Sequence, residues 1–193
     1  MLILLSGPVG SGKTTLCQRL VDLAGRRGFR VAGVLTPAVV QEGIKVGIEA
    51  VNLRTGEVRL LARSDCEPTQ DACAPGTTRV GRYVMDDRTL DWVAALCVEA
   101  LADAGAAASD SLVFVDEIGR LELERGEGLA RLIPLLAQPR DARVVVIVRD
   151  TLLDRFLERV RGTECHVVVV DPQCREDAWM EMTRLAFAGR EGA

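Results

Sequence analysis

The octapeptide Gly7 to Thr14, GPVGSGKT, follows directly on the apolar run Leu2 to Leu5 and leads into a stretch of helical periodicity. A strand, a glycine-rich turn and a helix in that order make a cradle for phosphate. The glycines let backbone amides point inward, the lysine reaches the β- and γ-phosphates, and the hydroxyl that follows coordinates Mg²⁺. Gly7, Pro8, Val9, Gly10, Ser11, Gly12, Lys13, Thr14 and Thr15 are therefore expected to hold the phosphates of a nucleotide, with Thr14 also on the metal. The helix that begins there turns its positive end toward the same groups. A glycine-rich turn with a stray lysine is the competing reading, but at average residue usage the pattern arises by chance in a chain of this length on the order of one per cent of the time. Its position between strand and helix lowers that further.

The rest of the chain repeats the alternation. Leu16, Leu20, Leu23 and Ala24 recur at helical spacing over 13–27, with Arg26 and Arg27 at the negative end and Gly28 as the stop. A second strand follows at 30–35, which completes a βαβ opening. Over 38–63 the period changes to two, with Ile44, Val46, Ile48 and Ala50, the turn Arg54-Thr55-Gly56, and then Val58, Leu60 and Ala62, and this predicts an antiparallel hairpin inserted into the α/β pattern. Residues 64–78 read as a loop and 80–86 as a short strand. Beyond them come a helix over 89–104, a strand over 111–115, a helix over 127–137, a strand over 143–148, a helix over 152–161 and a strand over 165–170. In the final helix Asp171 is placed to cap, Pro172 to sit in the first turn, and Glu176 and Asp177 near the positive end. The fold class expected is α/β, one domain over 1–193 around a mostly parallel central sheet with helices on both faces.

Composition narrows the partners. The chain has 193 residues, 48% hydrophobic and 27% charged, with a net charge of −4, which gives no basic footprint for nucleic acid or an anionic membrane. No run approaches the roughly 20 apolar residues of a membrane span, and no signal segment is apparent, so a cytoplasmic location is expected. Six cysteines without CxxC spacing read as small apolar residues rather than a metal framework, and the lone His166 reads as a strand residue.

In open parallel sheets ligands sit beyond the carboxyl ends of the strands, where both the glycine-rich loop and the pair Asp116-Glu117 fall. Asp116, after the apolar strand SLVFV, is the expected second holder of Mg²⁺ with Thr14. Glu117 is the expected catalytic group that orients and deprotonates a water in line with a γ-phosphate, and Lys13 shares the catalytic role by meeting the charge that develops there. Two arginines are candidates to complete that charge, Arg120 and Arg149.

The motifs GPVGSGKTTL, GVLTPAVVQEGIKVGIEAVNL, VGRYV and VFVDEIGRLEL, in this order and spacing, resemble the small nucleoside-triphosphatase family known from thermophiles and from the human cancer-related nucleoside-triphosphatase. The resemblance runs from Leu2 to about Val170, with VDEIG and Glu122 its most specific piece after the first loop. It implies a RecA-like P-loop fold and Mg²⁺-dependent hydrolysis of several nucleoside triphosphates to diphosphate and phosphate, with loose base selection. The chain departs from the family pattern around Gly47, where Ala38, Val40, Lys45 and Ile48 stand in place of a glutamate, two arginines and a phenylalanine, with Lys45 keeping one positive charge, and in IVRDTLLDRF, which lacks a threonine-proline pair. Two alternatives share the loop. A nucleotide-binding adaptor like the molybdopterin-guanine dinucleotide biosynthesis accessory protein would have little turnover, and a small-molecule kinase would need an acceptor pocket with a lid such as 64–82, carrying Arg79 and Arg82.

Overall fold

The apolar run LILLSG is buried along its whole length and forms β1 (Leu2–Gly7), as a strand covered on both faces must. The computed structural model describes residues 1–64, 74–106 and 110–189. After β1 come α1 (Lys13–Arg26) and β2 (Arg30–Leu35), then β3 (Ala38–Gln41), β4 (Ile44–Asn52), β5 (Val58–Ser64), β6 (Thr77–Val80) and β7 (Tyr83–Asp86). The chain continues through α2 (Asp87–Ala106), β8 (Ser111–Ile118), α3 (Arg120–Glu124), α4 (Ile133–Leu136), β9 (Arg143–Arg149), α5 (Leu153–Arg159), β10 (Cys165–Val169) and α6 (Arg175–Phe187).

The sheet runs in the order β10-β1-β9-β8-β2-β4-β5-β7-β6. Its first five strands are mutually parallel, and the remainder join antiparallel, with β3 folded back on β4. Alternation at each core strand divides the interior into two layers. Leu2, Leu4, Val113, Val115, Val144 and Val146 pack against α2 with Leu121, Leu132 and Phe156, while Ile3, Leu5, Leu112, Phe114, Val145 and Ile147 pack against α1 and α6. The result is the expected mixed α/β sheet with helices on both faces. Cys17 and Cys97 are fully buried in these layers and behave as small hydrophobes. Cys66 and Cys73 lie outside the described residues.

Some expectations shift. The insertion has a third strand, β3, too short and too exposed to carry a period-two signal. In β5 the alternation breaks at a register shift opposite Ile48 and Glu49, so that Leu61 and Ala62 are both buried while Val58 and Leu60 are exposed. The piece read as a strand at 80–86 is half of a hairpin that turns at Gly81 and Arg82. Of the expected loop over 64–78, residues 65–73 fall outside the described residues. The helix read over 127–137 is a 3₁₀ turn, Gly128–Leu132, followed by the short α4, because Gly128 takes a positive φ and Pro134 supplies no amide to a continuing helix. Asp171 does not cap the last helix: its carboxylate accepts from the Gln173 amide in a separate turn, and α6 begins at Arg175. No described helix is long and apolar enough to cross a membrane.

One contact sets the geometry at the site. Gly33 of β2 has a φ of +95°, and a Cβ there would stand 2.1 Å from the carbonyl oxygen of Phe114 on β8. Only glycine lets the two strands run at this separation up to their carboxyl ends. Gly33→Ala is expected to lose on the order of 3 kcal/mol of stability, read as a lower urea midpoint. A midpoint equal to that of the wild type would show that β2 and β8 do not need this close approach.

Candidate active site

The loop between β1 and α1 opens at the carboxyl edge of the sheet. Gly7, Gly10 and Gly12 take φ values of +151°, +80° and +98°, a left-handed sequence that turns successive amides to one side. Lys13 is a buried residue, and its ammonium donates to the carbonyls of Gly7 at 2.7 Å and Pro8 at 2.8 Å and so closes the loop across its own mouth. Pro8 and Val9 form the exposed crest, and the Ser11 hydroxyl, buried beneath it, has no hydrogen-bond partner in the described protein.

β8 brings the carboxylates to the same edge. The Thr14 hydroxyl donates to Oδ2 of Asp116 at 3.0 Å, and the backbone amide of Thr36, one residue past β2, donates to the same oxygen at 2.9 Å. Glu117 accepts from Arg149, at the end of β9, at 2.9 Å, with each side chain 34% exposed. Lys13, Thr14, Asp116, Glu117 and Arg149 thus meet across three strands, β1, β9 and β8, that are neighbours in the sheet. Arg120 does not join them, since it is solvated on α3 and lies 4.0 Å from Glu124 one turn on.

Comparison with known proteins identifies the family and the fold. The family profile NTPase_1, described as NTPase, matches residues 2–183. The chain belongs to this NTPase family. It is 30% identical to the nucleoside-triphosphatase THEP1 of Methanothermobacter thermautotrophicus, over 96% of this chain and 95% of that one. The crystal structure of THEP1 from the hyperthermophile Aquifex aeolicus superposes with a TM-score of 0.74 at 19% identity, covering 96% of this chain and 99% of that one. The solution structure of a human cancer-related nucleoside triphosphatase gives 0.71 at 24% identity, covering 98% of each chain. Both solved structures share the fold, a parallel core carrying antiparallel strands, and the family is one of nucleotide-binding P-loop hydrolases.

Within this NTPase fold, three residues make contacts that the motifs alone do not reveal. Thr36 contributes only its backbone amide, which no residue type announces. Glu122, buried on α3, accepts from the amides of Gly119 at 2.8 Å and Leu129 at 3.2 Å, and so pins both ends of the segment that follows Glu117. Lys45, the positive group of the inserted strands, lies 5.0 Å from the centre of the Tyr83 ring on β7.

Burial governs the charges. It lowers the Lys13 ammonium from its ordinary range, while the carboxylates of Glu117, Asp150 and Asp116 pull it back up. Burial also pushes the Asp116 carboxyl up to about 6, against the hydrogen bonds from Thr36 and Thr14 that hold it down. The folded chain therefore keeps the Asp116 proton more tightly than the unfolded chain, where the ordinary value is 3.8. This group's favourable contribution is complete below 3.8 and is lost as pH rises through about 6, so the ionised carboxylate opposes folding at neutral pH. Asp116→Asn, in the absence of divalent cation and nucleotide, is accordingly expected to melt at a higher temperature than the wild type at pH 8, with the difference closing as pH falls toward 4. A lower melting temperature for the variant at pH 8 would overturn the assignment of burial as the dominant influence on this carboxylate.

Proposed function

We propose that this chain hydrolyses ATP, GTP and other nucleoside triphosphates to the diphosphate and phosphate in a Mg²⁺-dependent reaction, and that Lys13, Thr14, Asp116 and Glu117 carry it. The observation that supports this most directly is the 3.0 Å approach of the Thr14 hydroxyl to Asp116, with Glu117 next in sequence. A hydroxyl and a carboxylate, both hard oxygen donors, fit a small divalent cation whose remaining positions are filled by substrate phosphates and water. Thr14 and Asp116 would hold Mg²⁺, and the ion when bound supplies positive charge against the β- and γ-phosphate oxygens.

The chain's own groups do the rest. The amides of Gly10 to Thr15 would bind the phosphate tail, with the α1 amino terminus behind them. Lys13 already spends two N–H bonds on loop carbonyls, which aims the remaining one outward. Glu117, one-third exposed, can accept a proton from water. The water oxygen would then bond to the γ-phosphorus as the bond from phosphorus to the bridging β–γ oxygen breaks and the diphosphate departs with the electron pair. Charge on the γ-oxygens would be met by Lys13 and by Arg149, the arginine that the fold brings to Glu117. The backbone groups among these contacts are blind to the base, in keeping with loose base selection.

Phosphate release from ATP and GTP with Mg²⁺ and no added acceptor is the deciding measurement. Steady release is expected, whereas release only with an acceptor would mean a kinase, and tight binding without turnover would mean an adaptor. Lys13→Ala should abolish tight triphosphate binding in a titration. Glu117→Gln should keep binding and slow turnover by about a hundredfold or more, and undiminished turnover would remove Glu117 from the mechanism. Arg149→Ala should leave diphosphate affinity within about twofold and lower kcat by about tenfold or more.

A further inference from the structure

Arg175 opens α6, immediately beyond the β10 edge of the site, and its side chain lies on the phosphate loop. A Cβ built on Gly12, whose φ is +98°, would stand 3.4 Å from Nε of Arg175, 3.5 Å from its Cζ and 3.7 Å from its Cδ. The guanidinium is thus in van der Waals reach of the residue that precedes Lys13. Its place is fixed by its neighbours: Arg19 of α1 donates to both carboxylate oxygens of Glu176, at 3.1 and 3.3 Å, and its guanidinium lies 3.9 Å from the centre of the Trp179 ring. These contacts clasp the start of α6 to α1. The end of β10 is equally close, since the Val170 amide donates to the Ser6 carbonyl at 2.7 Å. Among the described residues Arg175 forms no ion pair, although its neighbour in sequence, Glu176, is a carboxylate. An exposed guanidinium held beside a phosphate loop, with its adjacent carboxylate turned to another arginine, is a group kept for an anion.

The sheet order says which part of the anion it meets. Along the carboxyl edge stand the ends of β8 with Asp116 and Glu117, β9 with Arg149, β1 with the loop, and β10 with the approach to Arg175. A triphosphate whose γ end faces Glu117 and Arg149 runs from β8 across β1, which turns its α-phosphate and nucleoside toward β10. We propose that Arg175 is a nucleotide-binding residue that holds the α-phosphate end of the nucleotide, so that nucleoside diphosphates and triphosphates gain from it equally. It is the counterpart of Arg149, which faces the γ end and distinguishes the two. This rests on the loop being the nucleotide site, as set out above.

The test is a titration of ADP and of a non-hydrolysable ATP analogue, each with Mg²⁺, into wild type, Arg175→Gln, Arg175→Lys and Lys13→Ala, with steady-state hydrolysis and a melting temperature for each. Arg175→Gln should weaken both ligands by the same factor, about tenfold, and raise KM while kcat and the nucleotide-free melting temperature stay near wild type. Arg175→Lys, which keeps the charge and loses the planar fork, should fall between the two and serves as the readout if the glutamine variant does not fold. ADP affinity unchanged in Arg175→Gln and Arg175→Lys, while Lys13→Ala loses binding, would overturn the proposal and leave the loop assignment standing. A loss confined to the ATP analogue, or a fall in kcat at constant KM, would also overturn it by placing Arg175 at the γ end. Wild-type affinity in Lys13→Ala would instead remove the loop assignment, and the role of Arg175 with it.

Discussion

A carboxylate buried at the end of an apolar strand is the constraint around which this chain is arranged. Asp116 is 3% exposed and ends the run SLVFV, where packing alone would favour another aliphatic residue. An ionised group in that position is costly unless hydrogen-bonded or neutralised. Two donors answer it, the hydroxyl of Thr14 at the start of α1 and the amide of Thr36 beyond β2. Each comes from a different connection of the sheet, so this one oxygen ties together the loop, the start of α1 and the edge of the inserted strands. The tie also explains why β2 must lie so near β8 that position 33 accepts only glycine. Had β2 stood further off, the Thr36 amide would miss the carboxylate.

The parallel core was legible because its strands are continuous apolar runs, and such runs between helical periods fit little else. The glycine-rich loop was legible because its chemistry needs fixed residue types at fixed spacing. Where residue type does not decide, the reading failed. β3 is four residues with three exposed, and its pairing with β4 depends on the turn at Glu42 and Gly43 rather than on any pattern of its own. Gly128 and Pro134 broke the expected helix over 127–137 because tertiary contacts, such as Glu122 accepting from Leu129, stabilise a 3₁₀ turn there. Asp171 precedes a proline, as a helix cap often does, yet its carboxylate accepts from the nearer amide of Gln173.

The residues proposed to carry function divide in the same way. Lys13, Thr14, Asp116 and Glu117 lie within motifs, so the sequence exposes them. Arg149 and Arg120 look alike as sequence, each an arginine near a strand end, and only the sheet order separates them: β9 lies between β1 and β8, which carries Arg149 to Glu117. Arg120 instead falls on the solvated face of α3 beside Glu124. Arg175 stands far from every motif in sequence, and only the parallel pairing of β10 with β1 brings it to the loop.

The pair formed by Arg149 and Glu117 has a consequence under the proposed mechanism. Both side chains are one-third exposed, so the pair is screened and contributes only about 1 kcal/mol or less. That is too little to lock the site and enough to keep Glu117 oriented before substrate arrives. A triphosphate tail offers Arg149 a multiply charged partner in a less hydrated setting, where charge-assisted bonds are stronger. Transfer of the guanidinium from Glu117 to the γ-phosphate would free the carboxylate to accept a proton and would supply positive charge to the same γ-phosphate. A diphosphate, lacking the γ group, would leave the pair intact. The water-activating carboxylate would then be released only by the ligand that has a bond to be broken, and turnover would be coupled to the presence of substrate without any large movement of the fold.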